Sequence, residues 1–397
     1  MANNVTIRIY DIANPSNYVD VTQYAVSLNV SRGKFREADY FQAGYASVVF
    51  NNYDRVFDPT NTSSPLYGFL NPKQRIYIDI NAYAVFSGLV DNWSFTYDKT
   101  LEATASFTAY ESTNLFVNQY LPAQPFPSEL SGARINRILD STSVQWPSGY
   151  GARSIDAGKQ MLDADTITEN TNVQEYMNLI QDSEQGQLYM NGTETIFFRD
   201  SARTITSSPG FAVFADDGST YTYSSSTYNA FPYEEIEVSY STELLSNRIL
   251  VKSWDGVSST QVDETSSQGL YGLFTLVLDK VLISGSTVLS NLAQWLKNKY
   301  AYPEYRFNRL RVNLYALSLL DQSQFVNQVQ LNGFAKIKFK PNGTGSTIER
   351  YVRVIGIEHE VESGSHYVNL TFESLKNPLL VLDDSEFGKL DYYSLAL

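Results

Sequence analysis

A mainly β (β+α) fold is predicted, with antiparallel β regions towards both ends of the chain and a small α+β region between them. Three observations carry the prediction. Runs of alternating apolar and polar residues, each bounded by turn formers, recur from Val5 to Phe372. Aromatic content is 14%, with 29 Tyr and 22 Phe, residue types that suit both strands and protein interfaces. A proline-rich break, Leu121-Pro122-Ala123-Gln124-Pro125-Phe126-Pro127, separates the first alternating block from a stretch with helical spacing.

The first block opens with strands around Asn14-Pro15-Ser16, where Val5, Ile7 and Ile9 alternate with Thr6 and Arg8. Arg32-Gly33-Lys34 is a turn. In the strand that ends at Phe50, Ala46, Val48 and Phe50 share one face; Tyr45, Ser47 and Val49 share the other. A long connection follows, rich in Asn, Asp, Ser, Gly and Pro. The chain re-enters a strand at Arg75 to Ile80, with Ile76, Ile78 and Ile80 aligned. A connection of that length is usually functional or packed on itself, and Tyr53, Phe57 and Tyr67 are available to pin it. Val85 to Val90 leads to Trp93, Phe95 and Tyr97 on alternate positions. Leu101, Ala103, Ala105, Phe107 and Ala109 continue the pattern. One face of such a sheet meets a core, and inward Ala suits tight curvature or a barrel.

After the break, spacing predicts a helix over Ala133 to Asp140, with Ile135, Ile138 and Leu139 on one side. A second helix begins at Asn172, a cap to which Glu175 can reach back. Val173, Tyr176, Met177 and Ile180 form its apolar stripe, and Gly186 closes it. Leu188 to Met190 and Thr195 to Arg199 pair as a hairpin across Asn191-Gly192. Asp216-Asp217-Gly218 is a hairpin turn, because a calcium loop needs further oxygens at fixed spacing. Strands at Glu235 to Tyr240, Arg248 to Lys252 and Leu273 to Leu278 precede a third helix, Ser286 to Tyr300. Val288, Leu292, Trp295, Leu296 and Lys299 keep its period; Lys297 and Lys299 suit its last turn, with Pro303 just beyond. Arg311 to Tyr315, Ala335 to Lys340, Tyr351 to Glu358 and Tyr367 to Phe372 are further strands, one pair turned by Pro341-Asn342-Gly343. The final stretch, Pro378 to Leu397, is apolar, aromatic and acidic with no evident partner strand, which predicts docking on another chain.

Composition excludes several chemistries. The 397 residues allow two to four domains. The net charge of −14 and pI near 4.7 argue against electrostatic nucleic-acid binding, which needs clustered Lys and Arg. Lys336, Lys338 and Lys340 line one face of a strand, a solvated face. The acidity serves solubility and also suits a conduit wall that repels DNA. With no Cys there is no disulfide, thiolate nucleophile or Cys-based metal site. MANNVTIRIYD lacks the apolar core of a signal peptide, and no run approaches the ~20 apolar residues of a membrane span. His359 and His366 are the only histidines and flank one turn. A hairpin brings them together near Glu358, Glu360 and Glu362, but the alternation with Glu358 and Glu360 predicts a solvated or interface face and no metal site. There is no Gly-x-Ser-x-Gly, phosphate loop or dinucleotide fingerprint. A Ser-His-Asp triad has little support, and spacing cannot reveal paired carboxylates. No catalytic, cofactor or metal residue is assigned.

The stretch from Phe41 to Ile80 carries a resemblance. Phe41-Gln42-Ala43-Gly44, Asn51-Asn52, Arg55, Phe57-Asp58-Pro59-Thr60-Asn61, Ser64-Pro65 with Tyr67, and Leu70 with Pro72 resemble the N-terminal domain of tail hub (minor tail or baseplate hub) proteins of tailed bacteriophages. Asp20-Val21-Thr22 and Arg32-Gly33 fit the same pattern. The match is specific over roughly the first 110 residues and looser beyond.

The resemblance implies two tube-like antiparallel β-barrel domains with a small α+β insertion. The layout would be 1–118, the insertion 119–205, a second tube-like domain with one helix at 206–375, and a docking tail at 376–397. A weak internal echo agrees: Ser87-Gly88-Leu89 and Glu111-Ser112 match Ile355-Gly356-Ile357 and Glu373-Ser374. The implied function is a non-enzymatic structural hub, assembled in the host cytoplasm and placed at the virion tail tip or baseplate. As a homotrimer it would present six similar domains. Its implied partners are the distal tail or tail tube protein, a central fibre or tip protein and the tape-measure protein, with DNA passing the lumen without specific binding and no membrane segment. Phe41, Tyr53, Phe57, Pro65 and Tyr67 are the expected inter-subunit contact. The alternatives are a tail-associated enzyme or carbohydrate-binding module acting on the host envelope, and a cellular phage-derived injector.

Overall fold

The computed structural model describes residues 4–375 apart from 12, 13, 15, 99–102, 145, 147–151, 203–208 and 224. The expected docking tail, 376–397, lies outside the described residues, as do Pro15 and Leu101.

Alternation produces most of the strands where the sequence predicts them; Phe211–Ala215 is a strand the spacing does not announce, and Arg32-Gly33, predicted as a turn, ends a strand. Together they build one 13-stranded sheet. Its first seven members are β1 (Val5–Tyr10), β2 (Tyr18–Asp20), β3 (Ala25–Gly33), β4 (Gln42–Asn51), β5 (Arg75–Ile80), β6 (Tyr83–Tyr97) and β7 (Ala103–Tyr110). The other six are β8 (Phe211–Ala215), β9 (Glu235–Ser241), β10 (Glu304–Asn313), β11 (Phe334–Phe339), β12 (Ile348–Glu362) and β13 (Ser365–Ser374). Every pairing among them is antiparallel except β8 with β11. Along most strands alternate residues are buried, whereas β8 is buried on both faces, with Ala212 and Phe214 in the main core and Phe211, Val213 and Ala215 in a smaller one. Ala46, Val48 and Phe50 of β4, Ile76, Ile78 and Ile80 of β5, and Ala105, Phe107 and Ala109 of β7 are all buried in one core.

The sheet contains the same unit twice. Strands β3 to β7 lie in the spatial order β5-β6-β7-β4-β3, and strands β9 to β13 lie in the order β11-β12-β13-β10-β9. Chain order, neighbours and strand polarity all match. The Glu-Ser echo is a coincidence on top of this. Glu111 continues the core-facing parity of Ala105, Phe107 and Ala109, whereas Glu373 falls off the parity of Val368, Leu370 and Phe372.

The two units join through β3, which pairs antiparallel with the distal half of β12. The register runs from Leu28 opposite Val361 to Gly33 opposite Gly356. Gly33 has φ +101°, and a Cβ there would lie 2.2 Å from the Ile355 carbonyl oxygen, so the crossing requires glycine. The apolar side chains of both units form a single core.

Among the described residues five α-helices accompany the sheet: α1 (Ser131–Leu139), α2 (Val173–Glu184), α3 (Thr265–Tyr271), α4 (Ser286–Tyr300) and α5 (Leu319–Gln328). Ile135, Ile138 and Leu139 of α1 and Val173, Tyr176, Met177 and Ile180 of α2 are buried together in a second core. That core also takes Ile249, Val251, Leu289, Leu292, Ala293 and Leu296, so the segment between β9 and β10 packs on the α+β region. The Asn172 side chain accepts the Glu175 N–H at 3.1 Å, as its capping role requires.

Two glycines do different work from that expected. Gln185, with φ +57°, takes the left-handed position after α2. Gly186 instead admits the Phe198 ring, which a Cβ would approach to 2.7 Å. The 187–199 hairpin turns over five residues, held by Asn191 Oδ1, which accepts the Thr193 and Thr195 N–H groups. Glu194 is its left-handed residue, and Gly192 is needed because Ala84 passes 2.2 Å from its Cβ position. Helices α3 and α5 were not expected. Ser318 caps α5 by accepting the Asp321 N–H at 3.2 Å, a signal present in the sequence as Ser-x-x-Asp.

Candidate functional site

The 51–74 connection is built on two inward anchors. Asn52 Oδ1 accepts the Phe57 N–H at 2.9 Å, which turns the chain and drives the Phe57 ring into the core. That ring stacks on Phe50 with centroids 4.5 Å apart and meets Tyr24 edge-on. Leu66 is the second anchor, fully buried. Asp58 accepts the Thr60 N–H and hydroxyl and pairs with Arg55; the Thr60 hydroxyl, then Arg55, lower its pKa to about 2. Such local hydrogen bonds fix a long loop without secondary structure.

The five expected contact residues divide. Phe57 is fully buried, and Phe41 is buried against Tyr189 at 5.3 Å; both are used inside this chain. Tyr53 at 66% exposure, Tyr67 at 55% and Pro65 face outward.

A second cluster lies where the two sheet units and the α+β region meet. Arg32 donates from Nε to Glu111 Oε1 at 2.8 Å, from Nη1 to the Val85 carbonyl at 3.1 Å and from Nη2 to the Met190 carbonyl at 2.6 Å. The Gly44 N–H donates to the other Glu111 oxygen. Burial raises the Glu111 pKa and Arg32 opposes that shift. Beside it, Glu194 accepts from Ser87 and Ser112 hydroxyls, tying the hairpin to β6. Sequence parity held the signal: Arg32 and Glu111 occupy core-facing positions of apolar strands, where a charge needs a partner.

The two histidines differ from expectation. His359 and His366 are 5% and 0% exposed, with Nδ1 and Nε2 3.1 Å apart. They follow the parity of Val361 and of Val368 and Leu370, so the acidic neighbours lie on the other face. Burial lowers both pKa values, that of His366 to about 4, and His366 and Arg32 lower His359 further. Among the described residues no three His, Cys, Asp or Glu side chains are placed to hold a metal.

A cleft of about 560 Å³ opens between α2, α4 and the second sheet unit. Its floor is an ion network: Lys299 bridges Glu37 and Glu373, and Arg353 also pairs with Glu373. Burial opposes the Glu373 charge, but Lys299, Arg353 and Lys34 outweigh it and hold the carboxyl well below its usual range. Burial pushes Lys34 down to about 8. The groups neutralise one another, and the arrangement ties α4 to the sheet.

No known family model matches the chain, and no curated protein sequence matches it. Solved structures do. A 43 kDa tail protein of prophage MuSo2 from Shewanella oneidensis shares 11% identity and superposes with a TM-score of 0.60 over 94% of this chain and 98% of its own. A tail protein from Neisseria meningitidis MC58 shares 9% identity, with a TM-score of 0.61 over 98% and 99%. The fold is that of phage tail proteins. An E. coli type VI secretion component, described as similar to T4 tail proteins gp27 and gp5, superposes at 0.50 with 7% identity over 89% of this chain and 74% of its own. Among the described residues no helix is long and apolar enough to cross a membrane.

Proposed function

We propose that the chain is a non-enzymatic structural hub of a phage tail, working as a homotrimeric ring at the distal end in the virion. The doubled five-strand unit carries this reading. Three chains supply six such units, so a three-fold ring can meet a six-fold tube by repeating one heterologous contact. The ring would join the tail tube or distal tail protein to a central tip or fibre. Its lumen would pass the tape-measure protein and DNA, and the −14 charge favours passage without specific binding. The layout of tube-like domains at 1–118 and 206–375, insertion at 119–205 and docking tail at 376–397 belongs to this proposal. A phage-derived injector is the second reading, favoured by the type VI likeness.

Native mass measurement tests the hub. A trimer is expected at micromolar concentration; a monomer that persists there and in the assembled particle refutes it. Tyr53, Pro65 and Tyr67 are the proposed contact of the 51–74 loop. Their joint replacement by Ser should leave the melting temperature in place and abolish tail assembly; normal assembly would remove the loop from the interface.

A further inference from the structure

The chain holds one copy of a contact that its repeat implies twice. Within the chain, the edge strand of the first unit, β3, is added to the distal half of β12 in the second. The equivalents of those two edges are β9 in the second unit and the distal half of β6 in the first. Among the described residues neither edge has a partner: β9 pairs only with β10, and β6 beyond Val90 pairs only with β7. Unpaired strand edges of this length are usually covered or blocked.

The register of the missing contact follows from the repeat. The core pair Val48 and Phe107 corresponds to Leu310 and Leu370. Trp93 lies opposite Phe107 as Ile357 lies opposite Leu370, and Leu28 lies opposite Val48 as Ile236 lies opposite Leu310. Trp93 is therefore the counterpart of Ile357, and Ile236 the counterpart of Leu28. The observed pair Leu28–Val361 then maps onto Ile236–Tyr97. Carried along the strands, it sets Val238 opposite Phe95 and Tyr240 opposite Trp93, with Glu237, Ser239 and Ser241 opposite Thr96, Ser94 and Asn92.

We infer that a second copy of this chain fills this site, its β9 adding antiparallel to the β6 segment Asn92–Tyr97 in that register. The chemistry of the two strands supports the alignment independently. Every core-side pair is apolar or aromatic, and every outer pair is polar. A slip of one residue would set each aromatic against a serine or glutamate. Tyr97 is 56% exposed and Tyr240 67%; the counterparts of these positions in the internal seam are buried. Cross-strand aromatic pairs stabilise such an addition. The same seam, made three times within chains and three times between them, closes the ring.

This inference rests on the hub reading, and the absence of Cys in the chain gives a test that separates the two. Directly opposed strand residues have Cα atoms roughly 4.5–5.5 Å apart, within disulfide range. Ser94→Cys with Ser239→Cys should oxidise to covalent dimers and trimers on a denaturing gel. Ser94→Cys with Glu237→Cys, two residues out of register, should give at least fivefold less. Asn29→Cys with Glu360→Cys, across the internal seam, should close within one chain and report that the sheet is folded. An oligomer by native mass in which the in-register pair does not cross-link, or cross-links no better than the offset pair, overturns the contact and leaves the hub. A monomer by native mass with no cross-link overturns both, and failure of the internal pair removes the template.

Discussion

Arg32 is the side chain on which three parts of the molecule converge. It stands on β3 and reaches Glu111 after β7, the Val85 carbonyl of β6 and the Met190 carbonyl of the α+β hairpin. Both partners of the ion pair are almost fully buried. Replacing Arg32 with Met leaves Glu111 as an unpaired buried carboxylate, a loss worth about 3–5 kcal/mol in comparable buried pairs. Two carbonyls also lose their donor, each a penalty of about 1–3 kcal/mol that overlaps with the first. An expected total of about 4–5 kcal/mol is then a large share of an ordinary domain's stability. Replacing Glu111 with Leu strands the guanidinium and the Gly44 N–H, at about 3–4 kcal/mol by the same reasoning. The double variant should be less destabilised than the sum by at least about 2 kcal/mol, since each change removes the other's stranded charge. Urea unfolding followed by fluorescence of the four Trp residues measures all three. A single Arg32→Met cost under about 1 kcal/mol, or additivity within about 0.5 kcal/mol, would show that the pair does not hold the seam.

Two further outcomes follow from the same packing. His359 and His366 have folded pKa values below the unfolded 6.5, so the unfolded chain binds more protons as pH drops. Their contribution is complete above pH 6.5 and is lost below it, at a rate of up to about 1.4 kcal/mol per pH unit for each His. His366 faces His359 and the Tyr315 ring, while His359 faces His366 and Arg32. Unfolding measured between pH 6.5 and 4.5 should show this slope, and a His359→Gln/His366→Gln variant should flatten it; an unchanged slope would place the titration elsewhere. In the 51–74 loop, Phe57→Ala should cost about 3–5 kcal/mol because it empties a closed aromatic site. Tyr67→Ala should stay within about 0.5 kcal/mol, and equal costs in thermal unfolding would contradict the division of the loop into anchors and outward residues.

Local periodicity made most elements legible. Ser286–Tyr300 is the helix its spacing predicts, and the faces of β4, β5 and β7 follow their alternation. What stayed hidden is non-local. Strand β3 meets β12 more than 300 residues later, and no turn chemistry announces that pairing. Alternation tells which residues share a face but not which face is inside. That is why the flanking Glu358 and Glu360 point to a solvated or interface face for His359, although Ile357 and Val361 on its own parity mark the core. The loop aromatics divide by a non-local fit: Phe57, without a hydroxyl, enters the core beneath the turn that Asn52 makes, while Tyr53 and Tyr67 stay outside. Among the residues that carry the resemblance, Gly33 lets two strands cross closely, Arg32 and Gly44 hold the buried Glu111 carboxylate, and Asn52, Asp58, Asn61 and Ser64 make the local hydrogen bonds of the loop.

The β3–β12 pairing also bears on how the gene can be dissected. Severing the polypeptide near residue 205 would leave each fragment with a bare rim of amide and carbonyl groups and half of a shared oily interior. Neither piece should stay dispersed when made alone, whereas co-expressed pieces carry mutually matching rims and should recombine into the native shape. Fragment complementation would then follow from the continuity of one sheet across both ends of the polypeptide.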